Sequence, residues 1–190
     1  MDCINDHIER NYSEKRKKHT YAVRETAKEL ARRYGADVGK AETAAMFHDL
    51  FRGVPESTLN YYVRHLGMEE KYRDNANLAH GKIAAHVMER DYGVDDEDVL
   101  NAVRYHTTGR AGMSALEKII YLADAIEPGR DYPGVEELRE MAYGGLDEAC
   151  LKSMEMTIEY VTAKGYYLDG DTLAAKEYLT GGENERQGNR

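Results

Sequence analysis

RYHTTGRAGMSALEKIIYLADAIEPGRDYPGV, residues Arg104 to Val135, is the stretch from which the rest of the chain can be read. Ser114-Ala115-Leu116-Glu117 matches a capping box, in which the serine hydroxyl and the glutamate satisfy each other's free backbone N–H groups. The helix it opens must end before Pro128, because a proline disfavours helical backbone in the residue ahead of it. Inside that helix, Ile119-Ile120-Tyr121-Leu122-Ala123 is apolar on almost every side, and the run stops at Asp124. It is far too short to span a bilayer. A carboxylate in such a setting costs several kcal/mol unless a cation or strong donors compensate it.

Working outward, hydrophobic periodicity is helical nearly everywhere, and no convincing two-residue alternation occurs. Ser13 caps a helix reaching Tyr34, which Gly35 closes in the left-handed conformation. Asp37 caps a second, reaching about Leu50. Pro55 opens a third as its first residue, with Leu59, Tyr62, Val63 and Leu66 as its stripe. A fourth runs from near Asn77 to Tyr92, and Asp95 or Asp96 opens a fifth through Val99, Ala102 and Val103. After Pro128, helices are expected from Gly134 to Tyr143, Asp147 to Lys164 and Asp171 to Leu179. The expected fold class is all-α, a single-domain helical bundle over residues 1–179. The polar, glycine-rich tail, 180–190, is expected to be disordered.

Composition narrows the function. The 190 residues carry 26 Lys and Arg against 35 Asp and Glu, a net charge of −9. A nucleic-acid backbone needs a broad basic surface, so nucleic acid is not an expected partner. A small anionic substrate stays open, since bound cations can invert the field inside one cleft. Cys3 and Cys150 form no metal-binding or disulfide framework, and the N-terminus carries charge where a signal peptide needs an apolar run. A protein of the cytoplasm, with no membrane partner, is expected.

The ionisable residues on apolar faces carry the chemistry. His19 falls in line with Val23, Thr26 and Leu30; His48 with Ala41, Ala44 and Ala45; and Asp49 follows directly. His80 lies in line with Ala84 and Val87, His106 with Val99, Ala102 and Val103, and Asp124 with Ile120 and Glu117. A single histidine on such a face is usually a core residue with a backbone partner. Five helices each sending an ionisable group inward are better explained by mutual compensation through a metal. His7, His65 and His86 are off these stripes and are assigned to surface or ordinary packing. Mixed imidazole and carboxylate donors suit iron, manganese, cobalt or zinc, whereas structural zinc favours thiolates. A ferritin-like di-iron site is excluded, because no Glu-x-x-His pair precedes His19, His48, His80 or His106.

The order His19, His48-Asp49, His80, His106, Asp124 resembles the HD-domain metal-dependent phosphohydrolases. "HTYAV", "AAMFHDLFR", "LAHGKIAA", "DEDVLNAVRYHTTG" and the opening stretch are similar to the branch of that family that hydrolyses diadenosine tetraphosphate symmetrically. The likeness runs from about Arg16 to Tyr167, and is looser over Tyr166 to Thr172. It implies an HD-type helical bundle with an internal metal site. His19, His48, Asp49 and Asp124 match primary metal ligands, with iron the usual ion and one or two ions in all. His80 and His106 match positions that hold a second metal or face phosphates, and Asp49 is also placed to orient the nucleophile. Arg130 matches a phosphate-binding arginine, Arg52 a basic position that the family often fills with lysine. Arg16, Thr107 and Arg110 are further expected substrate contacts.

The implied activity is metal-dependent hydrolysis of a small nucleotide polyphosphate, diadenosine tetraphosphate giving two ADP. Other readings remain open at this point: a phosphodiesterase or nucleotidase acting on another nucleotide such as a guanosine alarmone, a nucleotide-binding domain without turnover, and an HD-fold oxygenase. A homodimer is allowed.

Overall fold

In a computed structural model, residues 2–188 are described, with side chains for 3–181. Among them are ten α-helices, one short 3₁₀ turn at Glu70–Tyr72, and no strand. The helices are α1 (Asp2–Asn11), α2 (Glu14–Tyr34), α3 (Val38–Phe47), α4 (Glu56–His65), α5 (Ala76–Tyr92), α6 (Glu97–Arg104), α7 (Ala115–Ile126), α8 (Val135–Gly144), α9 (Leu146–Ala163) and α10 (Gly170–Gly188).

Local capping sets most of these boundaries. The Ser13 hydroxyl accepts from the Arg16 N–H, and Gly35 turns left-handed at φ 69°, its N–H returning to Ala31. Asp37, Asn75 and Asp96 cap α3, α5 and α6 with their side chains. The capping box at Ser114 is complete, with both reciprocal bonds made. Pro55 stands one place earlier than expected, as the residue before α4. The tail expected from residue 180 overlaps the end of α10, and the side chains of 182–190 lie outside the described residues.

Two findings depart from the sequence reading. The chain before Ser13 forms α1, which buries Ile4 and Ile8 at 1% and 0% exposure. His7 therefore sits on a packed helix, edge-on to the Tyr12 ring. The helix expected to reach Leu50 closes at Phe47 instead. Beyond it the Leu50 and Arg52 N–H groups bond back three residues, to Phe47 and Asp49, a tighter winding than the α-helix. His48 and Asp49 thus occupy a turn beyond the end of α3.

α2 lies along α3 and α7, while α6 packs on α3, α5 and α7. α8, α9 and α10 continue on the α7 side, each touching its sequence neighbour. One continuous apolar core, with Leu30, Met46, Ile83, Leu100, Ile119 and Ile120 fully buried, surrounds the inward ends of α2, α3, α5, α6 and α7. Those five helices, or the turns that directly follow α3 and α6, carry the histidines and aspartates, and the close packing around them fixes where the donors meet.

Candidate metal centre

The residues converge as two triads. His19, His48 and Asp124 form one, and Asp49, His80 and His106 the other; within each, the ligand atoms lie inside 4.8 Å of one another. His19 comes from α2, His48 and Asp49 from the turn after α3, His80 from α5, His106 from just beyond α6 and Asp124 from α7. Asp49 faces both triads. Its Oδ2 is 3.9 Å from His19 Nε2 and 3.8 Å from His48 Nε2, while its Oδ1 is 3.3 Å from His80 Nε2. Asp124 Oδ1 is 3.2 Å from His19 Nε2 and 3.9 Å from His48 Nε2.

The second nitrogen of each ring identifies what the first must do. Nδ1 of His48, His80 and His106 lies 2.6, 2.9 and 2.8 Å from the carbonyl oxygens of Ala45, Ala76 and Val103. A carbonyl only accepts, so each Nδ1 carries the hydrogen, and in a neutral ring Nε2 is left as a bare lone pair. His80 Nε2 and His106 Nε2 then face each other across 3.0 Å as opposed lone pairs, which repel, while His48 Nε2 turns its lone pair toward His19 Nε2 at 3.4 Å and Asp124 Oδ1 at 3.9 Å. A cation beside His80 and His106 removes their conflict, and the donor set of imidazoles and carboxylates in both triads is one that transition ions accept.

The electrostatics agree. Burial pushes His106 down to about 3, with the neighbouring His80 and His48 acting the same way, and burial also lowers His48. These rings are neutral near pH 7, as metal ligands must be. Asp49 is held well below the ordinary carboxylate range although burial opposes it, because His48 and His80 face it. Asp124 is likewise held low against burial, through His19, His48 and Arg130. Burial works against the charged form of His19, and Asp124 together with Glu127 more than offsets it, leaving the pKa raised.

The expected substrate residues divide. Arg130 binds Asp124 through Nη2 and, at 2.7 Å, its carbonyl through Nε; Arg16 Nη2 lies 3.5 Å from Asp49 Oδ2 and 3.3 Å from the Asp49 carbonyl. Both guanidinium groups therefore border the triads. Arg16 Nε is buried with no hydrogen-bond partner, a donor left unused within the protein. The Thr107 hydroxyl is 3.2 Å from His106 Nε2, so it too adjoins the centre. Arg52 is exposed, and its side chain makes no ion pair among the described residues. Arg110 has another partner: Nε and Nη2 bind both oxygens of the buried Glu117, at 2.7 and 2.6 Å. That pair ties the turn after His106 to the first turn of α7, and its geometry is a structural one. Neither His65, exposed and stacked on Tyr61, nor His86 belongs to either triad.

Some neighbours escaped the sequence reading. The Tyr12 hydroxyl donates to the Asp49 carbonyl at 3.1 Å, and its ring lies under the Arg16 guanidinium. Gly81 lies against the second triad: a Cβ there would be 2.8 Å from the Val103 carbonyl oxygen and 3.0 Å from the His106 ring. Glu127 receives His19 Nδ1 at 3.1 Å. The glycine inside a helical pattern was a visible cue, since such a position carries a packing reason or a cost. Tyr12 and Glu127 had none that spacing alone reveals.

The family model for the HD domain matches residues 16–129, which spans all six converging side chains, and the chain belongs to the HD-domain family. Metal-dependent phosphohydrolase chemistry is the class that this fold and these donors define. Within the family it is 40% identical to the symmetrical bis(5'-nucleosyl)-tetraphosphatase of Bacillus subtilis, over 92% of this chain and 95% of that protein. It is 37% identical to the enzyme of the same name from Staphylococcus aureus, over 87% of each. A crystal structure from Clostridium acetobutylicum, described as a "predicted HD superfamily hydrolase involved in NAD metabolism", superimposes with a TM-score of 0.90 at 42% identity, covering 95% and 96% of the two chains. No helix among the described residues is long and apolar enough to cross a membrane.

Proposed function

We propose that this chain hydrolyses diadenosine tetraphosphate and related dinucleoside polyphosphates symmetrically, giving two nucleoside diphosphates. The observation that carries the reading is the pair of triads of converging imidazole and carboxylate donors, with Asp49 facing both. The relatives that cover nearly the whole chain bear the corresponding name, which supports the substrate class. His19, His48, Asp49 and Asp124 would hold one ion, and Asp49, His80 and His106 a second, with iron the proposed metal. When bound, such ions bring the pKa of a coordinated water toward neutrality and screen the phosphate oxygens.

The protein's own groups do the rest. Asp49, with an oxygen toward each triad, orients the attacking water between them. Arg130 and Arg16 flank the carboxylates, and both can turn from them to phosphate oxygens, which a guanidinium fork binds two at a time. Thr107 offers a hydroxyl beside His106 to a non-bridging oxygen. Arg52, exposed beyond the Asp49 turn, supplies charge at the outer end of the chain of phosphates. A tetraphosphate gripped centrally in this way is attacked at the inner bridge. The proposed setting is the cytoplasm, where such nucleotides and reduced cysteines coexist.

The product pattern tests the reading. Diadenosine tetraphosphate should yield ADP alone as primary product, and in oxygen-18 water one ADP per turnover should carry the label on its terminal phosphate. Equal ATP and AMP would reject the symmetric assignment. Full activity after complete removal of metal by a chelator would reject the mechanism.

A further inference from the structure

His19 is held differently from the other three histidines. His48, His80 and His106 each donate Nδ1–H to a backbone carbonyl three or four residues earlier in their own segment. His19 Nδ1 instead meets Oε1 of Glu127, a carboxylate 108 residues away in sequence. Glu127 follows the last turn of α7 and is 4% exposed. A buried carboxylate is costly unless it is paired and hydrogen-bonded, so its position needs a reason. Its other oxygen accepts the Gly129 N–H, while Oε1 meets the imidazole at 3.1 Å and lies 4.0 Å from Arg130 Nε.

We infer that Glu127 is a positioning residue, which fixes the His19 tautomer and raises the donor strength of Nε2, so that the His19–His48–Asp124 triad binds its ion more tightly than the other. This rests on the proposed metal-dependent reading. The physical ground is general: a carboxylate accepting from the far nitrogen of a ligating histidine orients the ring and increases its basicity, and losing such a partner typically costs about 10–100-fold in metal affinity. A backbone carbonyl orients the ring too, but carries no charge. The rival explanation is that Glu127 only shapes the loop bearing Arg130. That loop has an independent clamp: Arg139 of α8 donates to the carbonyls of Ile126, Glu127 and Arg130 without touching His19.

The test is Co²⁺ binding to the full chain, followed by the visible d–d absorption of the ion in competition with a chelator of known affinity. Wild type, Glu127→Ala, Glu127→Gln and Arg139→Ala are compared. The expected result is two Co²⁺ sites in the wild type. The tighter site should weaken about 10–100-fold and change its spectrum in Glu127→Ala, and weaken measurably in the better-folding Glu127→Gln. In Arg139→Ala the same site should keep its affinity within roughly threefold and keep its spectrum, since the Glu127–His19 contact survives. Unchanged Co²⁺ affinity in both Glu127 variants, or an equal loss in Arg139→Ala, overturns the inference and leaves the metal site intact. A wild-type chain that binds no Co²⁺ overturns the metal-dependent reading itself.

Discussion

The two halves of the metal centre use the same side-chain types and differ in their surroundings. The His19–His48–Asp124 half opens toward solvent, with His19 17% and Asp124 23% exposed, and it is ringed by ionised groups: Glu127, Arg130 and Arg16. The Asp49–His80–His106 half is drier, with the His80 side chain 2% exposed, and is braced by backbone carbonyls and by Gly81. Charged surroundings adjust how strongly a donor binds a cation. Packed, neutral surroundings adjust where the donor stands. On the proposed reading, charge tunes the affinity of the first half for its ion, and packing fixes the donor positions of the second.

Removing Asp124 tests the first half most severely. Asp124→Ala leaves Arg130 and His19 without their shared carboxylate, and hydrolysis should fall by roughly three orders of magnitude or more, together with loss of the tightly held metal. Metal analysis and a steady-state assay on the same preparation measure both. If the variant keeps its full metal content, the two halves are not distinct. His106→Ala, in the second half, should retain at least one ion per chain while turnover falls about 100-fold, on the scale of a lost preorganised group. Retention of both ions with normal turnover would remove the second half from the mechanism.

Smaller effects sharpen the contrast. Arg130→Ala should lower kcat/KM about tenfold, the size of a lost charge-assisted phosphate contact, because the guanidinium must leave Asp124 to reach substrate. An unchanged kcat/KM in a folded variant would confine Arg130 to neutralising Asp124. Arg110→Ala separates the supporting pair from the substrate contacts. It strips the buried Glu117 of its bidentate partner and should cost about 2 kcal/mol in denaturant unfolding, while the KM of the folded enzyme stays within roughly twofold. A large rise in KM with full stability would restore Arg110 to the substrate site. Gly81→Ala should destabilise by ~1 kcal/mol or somewhat more, as the added methyl displaces the Val103 carbonyl and the His106 ring. Co²⁺ titration should then show weakening at the second half alone.

Much of this architecture was legible in the residues. Caps at Ser13, Asp37, Asp96 and Ser114, and the left-handed Gly35, lie where local hydrogen bonding and sterics place them, because those forces act within one helical turn. The inward faces bearing His19, His48, His80, His106 and Asp124 followed from a period of 3.6 residues. α1 was missed because its apolar face amounts to Ile4 and Ile8 among charged residues, a stripe that counts only once the core they fill exists. Arg110, expected at the substrate, is found on Glu117, because a basic residue after the histidine at 106 is equally apt for a phosphate or for a carboxylate seven residues on.

The sequence by itself determined an all-helical chain, the chemical nature of the six donors and their order along it, since periodicity, caps and side-chain type are local properties. The tertiary structure alone decided the pairing of those donors into two triads, with Asp49 facing each, because the turn after Phe47 sets the direction of its oxygens. It also brought Arg16 of α2 to Asp49, 33 residues on, whereas Arg110 with Glu117 and Arg130 with Asp124 are contacts within seven residues. Contacts between helices far apart in sequence follow from how volumes fill a shared core, and no stretch of residues contains that information alone.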